Sequence, residues 1–240
     1  MDLGNHSSNS DNSTSGAPTL FARIGFASAW VMIAVAGIVG NGLVIFVAIR
    51  FQKLNNVTNC FIVNLAVTDI VFLAFCMPLL VIQYTLDQWF FSDILCKLLN
   101  FISFVSVLVT VLTLVAMTID RYIYVVRPFE KLTWRKPSNV FGLTFFIWLI
   151  SCVFASPFYE HYGISEKHDD NSKQCVLLSP ENLQKKFRIY IVTLYYFIPL
   201  TIIIVCYGKL LYFVSKKENK LKPKTVSLGK HITIFASQYS

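Results

Sequence analysis

Charge is scarce in this chain of 240 residues: 14% are Asp, Glu, Lys or Arg, against about 25% in an ordinary soluble domain. Residues 26–49, 98–119, 140–159 and 189–208 contain none, and 61–86 contain only Asp69. A buried helix of a soluble protein still needs a polar face, and none of these five stretches has one. A large soluble helical core is therefore excluded. Enzyme machinery is missing too. No nucleophile stands at a spacing suited to a base, and the four histidines, His6, His161, His168 and His231, are scattered. No enzyme, no metal centre and no cofactor is expected from such a chain. It also lacks the internal repeat and the paired broken helices of a transporter. The first twenty residues hold no apolar core, so they make no cleavable signal peptide.

What is present is apolar. Apolar residues make up 55% of the chain, and mean hydropathy is +0.58. Each of the five runs reaches about 20 residues, the length that crosses about 30 Å of hydrocarbon as a helix. The expected architecture is all-α. It has a disordered Ser/Asn-rich tail over 1–24, a five-helix transmembrane bundle over 25–214 and a basic segment over 215–240. Grouping the ends and loops alternately gives fourteen cations and three acids on one side, and seven cations and nine acids on the other. The positive-inside rule then puts the amino terminus outside and the Lys-rich stretch from Lys216 to Lys224 in the cytoplasm. The net charge of +8 thus reflects topology and anionic lipid headgroups, with no nucleic-acid footprint in it. Asn5-His6-Ser7 and Asn12-Ser13-Thr14 are sequons on the outer side, so glycans are expected on Asn5 and Asn12. Asn56, on the inner side, should stay bare. Cys60, Cys76, Cys152 and Cys206 fall in or beside apolar runs and read as packed thiols. Cys96 and Cys175 alone lie on the outer, oxidising side.

The stretch from Cys96 to Arg121 carries the most information. At about 1.5 Å per residue it covers roughly 38 Å, enough to cross a tilted bilayer. It opens on a cysteine and closes on Asp120-Arg121-Tyr122, charges placed at a depth where they are costly and usually functional. Gly40-Asn41-Gly42 stands in the first run and Leu65-Ala66-Val67-Thr68-Asp69 in the second. Trp148 and Pro157 lie in the fourth, and Pro199 with Tyr207 in the fifth. With these motifs the chain resembles the rhodopsin-like G-protein-coupled receptors, from about residue 26 to residue 225.

The resemblance implies roles for several residues. Cys96 and Cys175 would form a disulfide. Asp69, with Ser106 and Thr110, would hold a sodium ion. Asp120 would restrain Arg121 at rest, and Arg121 would meet a heterotrimeric G protein when active. Tyr122, Pro128, Phe129 and Tyr207 would belong to the same coupling end. Gln83, Trp89 and Ser103 would face the ligand side. Amine receptors carry an Asp where Ser103 stands, so a monoamine is not expected. The long loop between Pro157 and Phe187, charged from Glu166 to Lys173 and continued by Gln174-Cys175-Val176, suits the β-hairpin of peptide receptors. Asn100-Phe101, Val105-Ser106-Val107, Leu112-Thr113-Leu114 and Ala155-Ser156-Pro157 are similar to the galanin, kisspeptin and allatostatin-A group.

The implied function is a plasma-membrane neuropeptide receptor. The family's sixth-helix Cys-Trp-x-Pro and seventh-helix Asn-Pro-x-x-Tyr do not occur, so this reading expects a receptor truncated after its fifth helix. A second reading has the five-helix product pairing with a full-length receptor and modulating its folding or traffic; expressed alone, the chain is expected to be retained in the endoplasmic reticulum.

Overall fold

The computed structural model describes residues 20–52, 57–126, 136–166 and 172–238. Five helices are long and apolar enough to cross a membrane: Phe21–Phe51, Val57–Leu86, Asp93–Val126, Ser138–His161 and Glu181–Glu218. They are called the first to fifth spans. Each apolar run folds as a helix because only a helix satisfies its own backbone in hydrocarbon. The third span is the central one. It buries 39% of its most apolar window, against 6% for the first and 11% for the fifth. Val31, Met32, Val35, Val39 and Leu43 of the first span point away from the protein, as side chains that meet lipid do. The first and second spans approach closely at Gly37, where an added Cβ would lie 2.5 Å from Leu73 Cδ1.

Proline shapes three of the spans. Pro78 follows a π-helical turn at Phe72–Cys76, and Pro199 follows another at Val192–Phe197. A proline lacks the N–H that would bond the carbonyl four residues back, and the ring crowds that carbonyl. Here those carbonyls belong to Ala74 and Tyr195, both inside the widened turns, so the helix relaxes by taking in an extra residue. Pro157 is accommodated differently. The carbonyl it frees, that of Val153, accepts the Ser156 hydroxyl at 2.8 Å. The fourth helix therefore continues past its proline to His161.

The fifth span begins early, at Glu181. Leu183, Phe187 and Tyr190 pack inward against Phe158 and its neighbours, while Lys185, Lys186 and Arg188 remain exposed. The long outer loop expected between Pro157 and Phe187 is consequently shortened from both ends. Its middle is an antiparallel hairpin of β1 (Tyr162–Glu166) and β2 (Lys173–Leu177), pairing Ile164 with Cys175. Beyond Val214 the fifth helix runs on as far as Gln238, so the described part of the basic segment is a continuation of that helix.

Three buried clusters follow one another across the bundle. Beneath the hairpin lie Cys76, Trp89, Cys96, Leu99 and Cys175. Between the third, fourth and fifth spans lies an aromatic group centred on Phe158, which stacks on Phe104 at 3.5 Å and meets Phe187 and Tyr195 edge-on. Near the inner ends, Val57, Cys60, Phe61 and Val140 close the second, third and fourth spans together.

Candidate functional site

The outer end is built around the hairpin. Cys96 and Cys175 are joined, with Cα atoms 5.7 Å apart, so β2 is tied to the top of the third span. Two hydrogen bonds add to the tie. The Trp89 amide donates to the Lys173 carbonyl at 2.6 Å, and the Ile164 amide donates to Asp93 Oδ1 at 3.1 Å. Asp93 Oδ2 also meets Lys97 Nζ at 2.7 Å. Gly163 is a glycine for a steric reason: a Cβ would lie 2.6 Å from Leu178 Cδ1 and 3.1 Å from Asp93 Oδ1.

Beside the hairpin opens a cavity of about 500 Å³, lined by Arg23, Gln83, Tyr84, Asp87, Asn100 and Gln174 among others. Gln83 is thus the one of the three ligand-side residues that lines it. Trp89 is buried in the cluster under the hairpin, its indole donating to the Ser92 carbonyl at 3.2 Å. Ser103 turns its hydroxyl back to the Leu99 carbonyl at 2.7 Å. Asp87 ends the second span in the left-handed conformation, with φ of 52°, which Asp tolerates better than most residues. That twist sets its carboxylate 3.9 Å from the Arg23 guanidinium.

Midway down, Asp69, Ser106 and Thr110 line one cavity of about 210 Å³ with Thr68 and Phe72. The Ser106 hydroxyl is buried with no hydrogen-bond partner among the described residues. A carboxylate and hydroxyls form the hard-oxygen set that a small hard cation prefers. Close by is a network that the sequence reading did not single out. Asn64 Nδ2 donates to Thr113 Oγ1 at 2.8 Å, and Trp148 Nε1 donates to Asn64 Oδ1 at 2.9 Å. One amide therefore links the second, third and fourth spans. Its signal in the sequence was an Asn inside the second apolar run, five residues before Asp69. Asn64→Leu is expected to lower thermal stability by about 1–3 kcal/mol, because the indole N–H loses its acceptor in a buried setting. Melting curves of the purified protein check this. Adding Trp148→Phe should cost little more, since the shared bond is already gone.

At the inner end of the third span Asp120 is buried, 3% exposed, while Arg121 beside it is exposed and Tyr122 half-buried. Tyr207 lies exposed toward the inner half of the fifth span. Among the described residues neither the Arg121 guanidinium nor the Tyr207 hydroxyl has a hydrogen-bond partner. Asn5, Asn12, Pro128 and Phe129 lie outside the described residues.

Known proteins share this arrangement of sequence. The model of the family described as "7 transmembrane receptor (rhodopsin family)" matches residues 40–236. Mouse galanin receptor type 1 is 34% identical over 197 residues, covering 81% of this chain and 56% of the receptor. The rat KiSS-1 receptor is 35% identical over 188 residues, 78% of this chain and 47% of that receptor. The zebrafish galanin receptor 2a is 31% identical over 184 residues, 76% and 50% of the two. The chain thus spans about half the length of the curated relatives it matches. With the family model covering most of its residues and five apolar helices arranged around a central third, the chain belongs to the rhodopsin family of seven-transmembrane receptors.

Proposed function

We propose that this chain supplies the first five spans of a neuropeptide receptor that passes ligand binding to a heterotrimeric G protein across the plasma membrane. One observation carries the reading: a single unbroken helix, Asp93–Val126, reaches from the hairpin-covered cavity to Asp120-Arg121-Tyr122. A peptide enters from outside beside the hairpin and meets Gln83 and its neighbours. Binding favours a state in which the inner ends of the spans separate and Arg121 faces the G protein. Tyr207, on the fifth span, belongs to the same end, as do Pro128 and Phe129 after the third. The amino terminus, with glycans on Asn5 and Asn12, is extracellular.

Asp69, Ser106 and Thr110 would hold a sodium ion, whose charge offsets the Asp69 carboxylate within the bundle. The residues themselves position that carboxylate between the second and third spans, where a change in span packing alters its surroundings. The galanin and KiSS-1 receptors among the relatives direct the choice of peptide.

The test continues the whole chain after Ser240 with the last two spans of mouse galanin receptor type 1, in cell membranes. Synthetic galanin or a KiSS-1 peptide is then added and nucleotide exchange on a heterotrimeric G protein is followed. Saturable, peptide-dependent exchange is expected. Failure of both peptides to bind or to stimulate exchange would overturn this reading.

A further inference from the structure

The third span meets the outer hairpin at two points one helical turn apart. Cys96 carries the disulfide to Cys175 on β2. Asp93 stands three residues earlier, on the same helix face, and its Oδ1 accepts the Ile164 amide of β1 at 3.1 Å. Ile164 and Cys175 are cross-strand partners, so the two ties land on one rung of the hairpin, from opposite strands. β2 has further holds. Its Lys173 carbonyl accepts the Trp89 amide at 2.6 Å, its Cys175 carbonyl accepts Gln83 Nε2 at 3.0 Å, and Gln174 Nε2 donates to Asp87 Oδ1 at 3.2 Å. β1 has no such reserve. Among the described residues the Asp93 carboxylate makes the only hydrogen bond between β1 and the third span.

A single covalent link leaves rotation about its own bonds, and a second point on the other strand stops the hairpin from tilting about the first. The surroundings of Asp93 keep it at that point. It opens the third helix, where unpaired amides and the helix dipole favour an anion. Lys97, one turn on, holds Oδ2 at 2.7 Å and so leaves Oδ1 to the hairpin. Gly163 provides the room, since a Cβ there would lie 3.1 Å from Oδ1. An ion pair as exposed as this one contributes little by itself; Lys97 serves to orient the carboxylate. Gln174 and Cys175 line the outer cavity, whereas Asp93 does not.

We propose that Asp93 is a positioning residue for ligand binding, an inference that rests on the receptor reading above. It fixes the tilt of the hairpin, and with it the wall that Gln174 and Cys175 present to the peptide, without touching the peptide itself. Without the carboxylate, β1 lifts from the third span and bound peptide leaves faster. Coupling at the inner end is untouched.

The test uses the whole chain continued after Ser240 by the last two spans of mouse galanin receptor type 1. The first measurement needs no ligand: deuterium exchange at the Ile164 amide, followed by mass spectrometry. Exchange should be faster in Asp93→Ala and close to the parent in Asp93→Asn, which keeps an oxygen acceptor at the same reach. The second is dissociation of labelled synthetic galanin or KiSS-1 peptide, set beside nucleotide exchange at saturating peptide. Asp93→Ala should dissociate about fivefold faster, the worth of one hydrogen bond, with maximal nucleotide exchange unchanged. Lys97→Met should speed dissociation about twofold in the parent and not at all in Asp93→Ala, because its effect passes through Asp93. If Asp93→Ala fails to reach the membrane, Asp93→Asn and Lys97→Met carry the same comparison. A purely structural role would lower receptor number and maximal nucleotide exchange while leaving dissociation from the remaining receptors as it was, and that result overturns the inference. Unchanged Ile164 exchange with unchanged dissociation overturns it too and leaves the receptor reading intact. Failure of both peptides to bind any form overturns the receptor reading, and Ile164 exchange alone then decides whether Asp93 holds the hairpin.

Discussion

Arg121→Ala, in the chain continued to seven spans, is expected to remove most peptide-driven nucleotide exchange while surface expression persists. Arg121 is exposed and has no partner among the described residues, so shortening it takes nothing from the fold; changes at such positions are usually worth less than about 0.5 kcal/mol. Its proposed use lies in the active complex, where a guanidinium enclosed against a partner is a far stronger contact. Truncating one side of such a contact costs about 2 kcal/mol or more, roughly thirtyfold in the coupled complex. Asp120→Asn should act in the opposite sense and raise exchange without peptide, because the Asp120 carboxylate is buried and engaged in this resting fold, and an uncharged amide weakens that engagement rather than any bond to Arg121. The check is nucleotide exchange on purified G protein, set against a count of receptors at the surface. Unchanged exchange for Arg121→Ala at normal surface density would defeat the proposed role.

Residues 1–240 expressed alone are expected to be retained in the endoplasmic reticulum, to bind no peptide and to activate no G protein. The fifth span is only 11% buried over its most apolar window, and Tyr196, Phe197, Ile204 and Val205 are exposed there. The cavity beside Asp69 has walls from the second and third spans alone. A charge left near the middle of the bilayer costs about 2.5–3.5 kcal/mol even on the lenient insertion scale, a large part of a native stability of about 5–15 kcal/mol. Surface biotinylation combined with binding of labelled galanin and KiSS-1 peptide tests the expectation. Abundant surface protein with saturable binding would show that five spans suffice.

The spans were legible in the sequence because hydrocarbon imposes a requirement that composition alone reveals: long runs without charge. The outer hairpin was expected as well, but through the resemblance: a charged stretch followed by Gln174-Cys175-Val176 suits the hairpin of peptide receptors. Helix limits were less legible. Pro157 suggests an end, but the neighbouring Ser156 hydroxyl satisfies the freed carbonyl and the helix goes on to His161. Pro78 and Pro199 mark which carbonyls are released without telling whether the helix bends or widens. The Asn64 network and the Asp93 tie to the hairpin depend on partners 49 to 84 and 71 residues away in sequence. No local pattern encodes such pairings. The candidate site was therefore read residue by residue from a resemblance.

The widened turn at Val192–Phe197 makes the fifth helix two segments out of phase. Each residue of an α-helix turns the chain by about 100°, so deleting any one residue within this turn would restore regular winding and rotate everything on its outer side by that angle. Phe187 and Tyr190 would leave the aromatic cluster and meet lipid, while Tyr207 and the inner half would not move. Insertions and deletions at this turn thus form a dial on which the half beside the hairpin can change partners without disturbing the half that carries Tyr207. A one-residue gap here in an alignment with a relative would mark a different outer surface on an unchanged inner one.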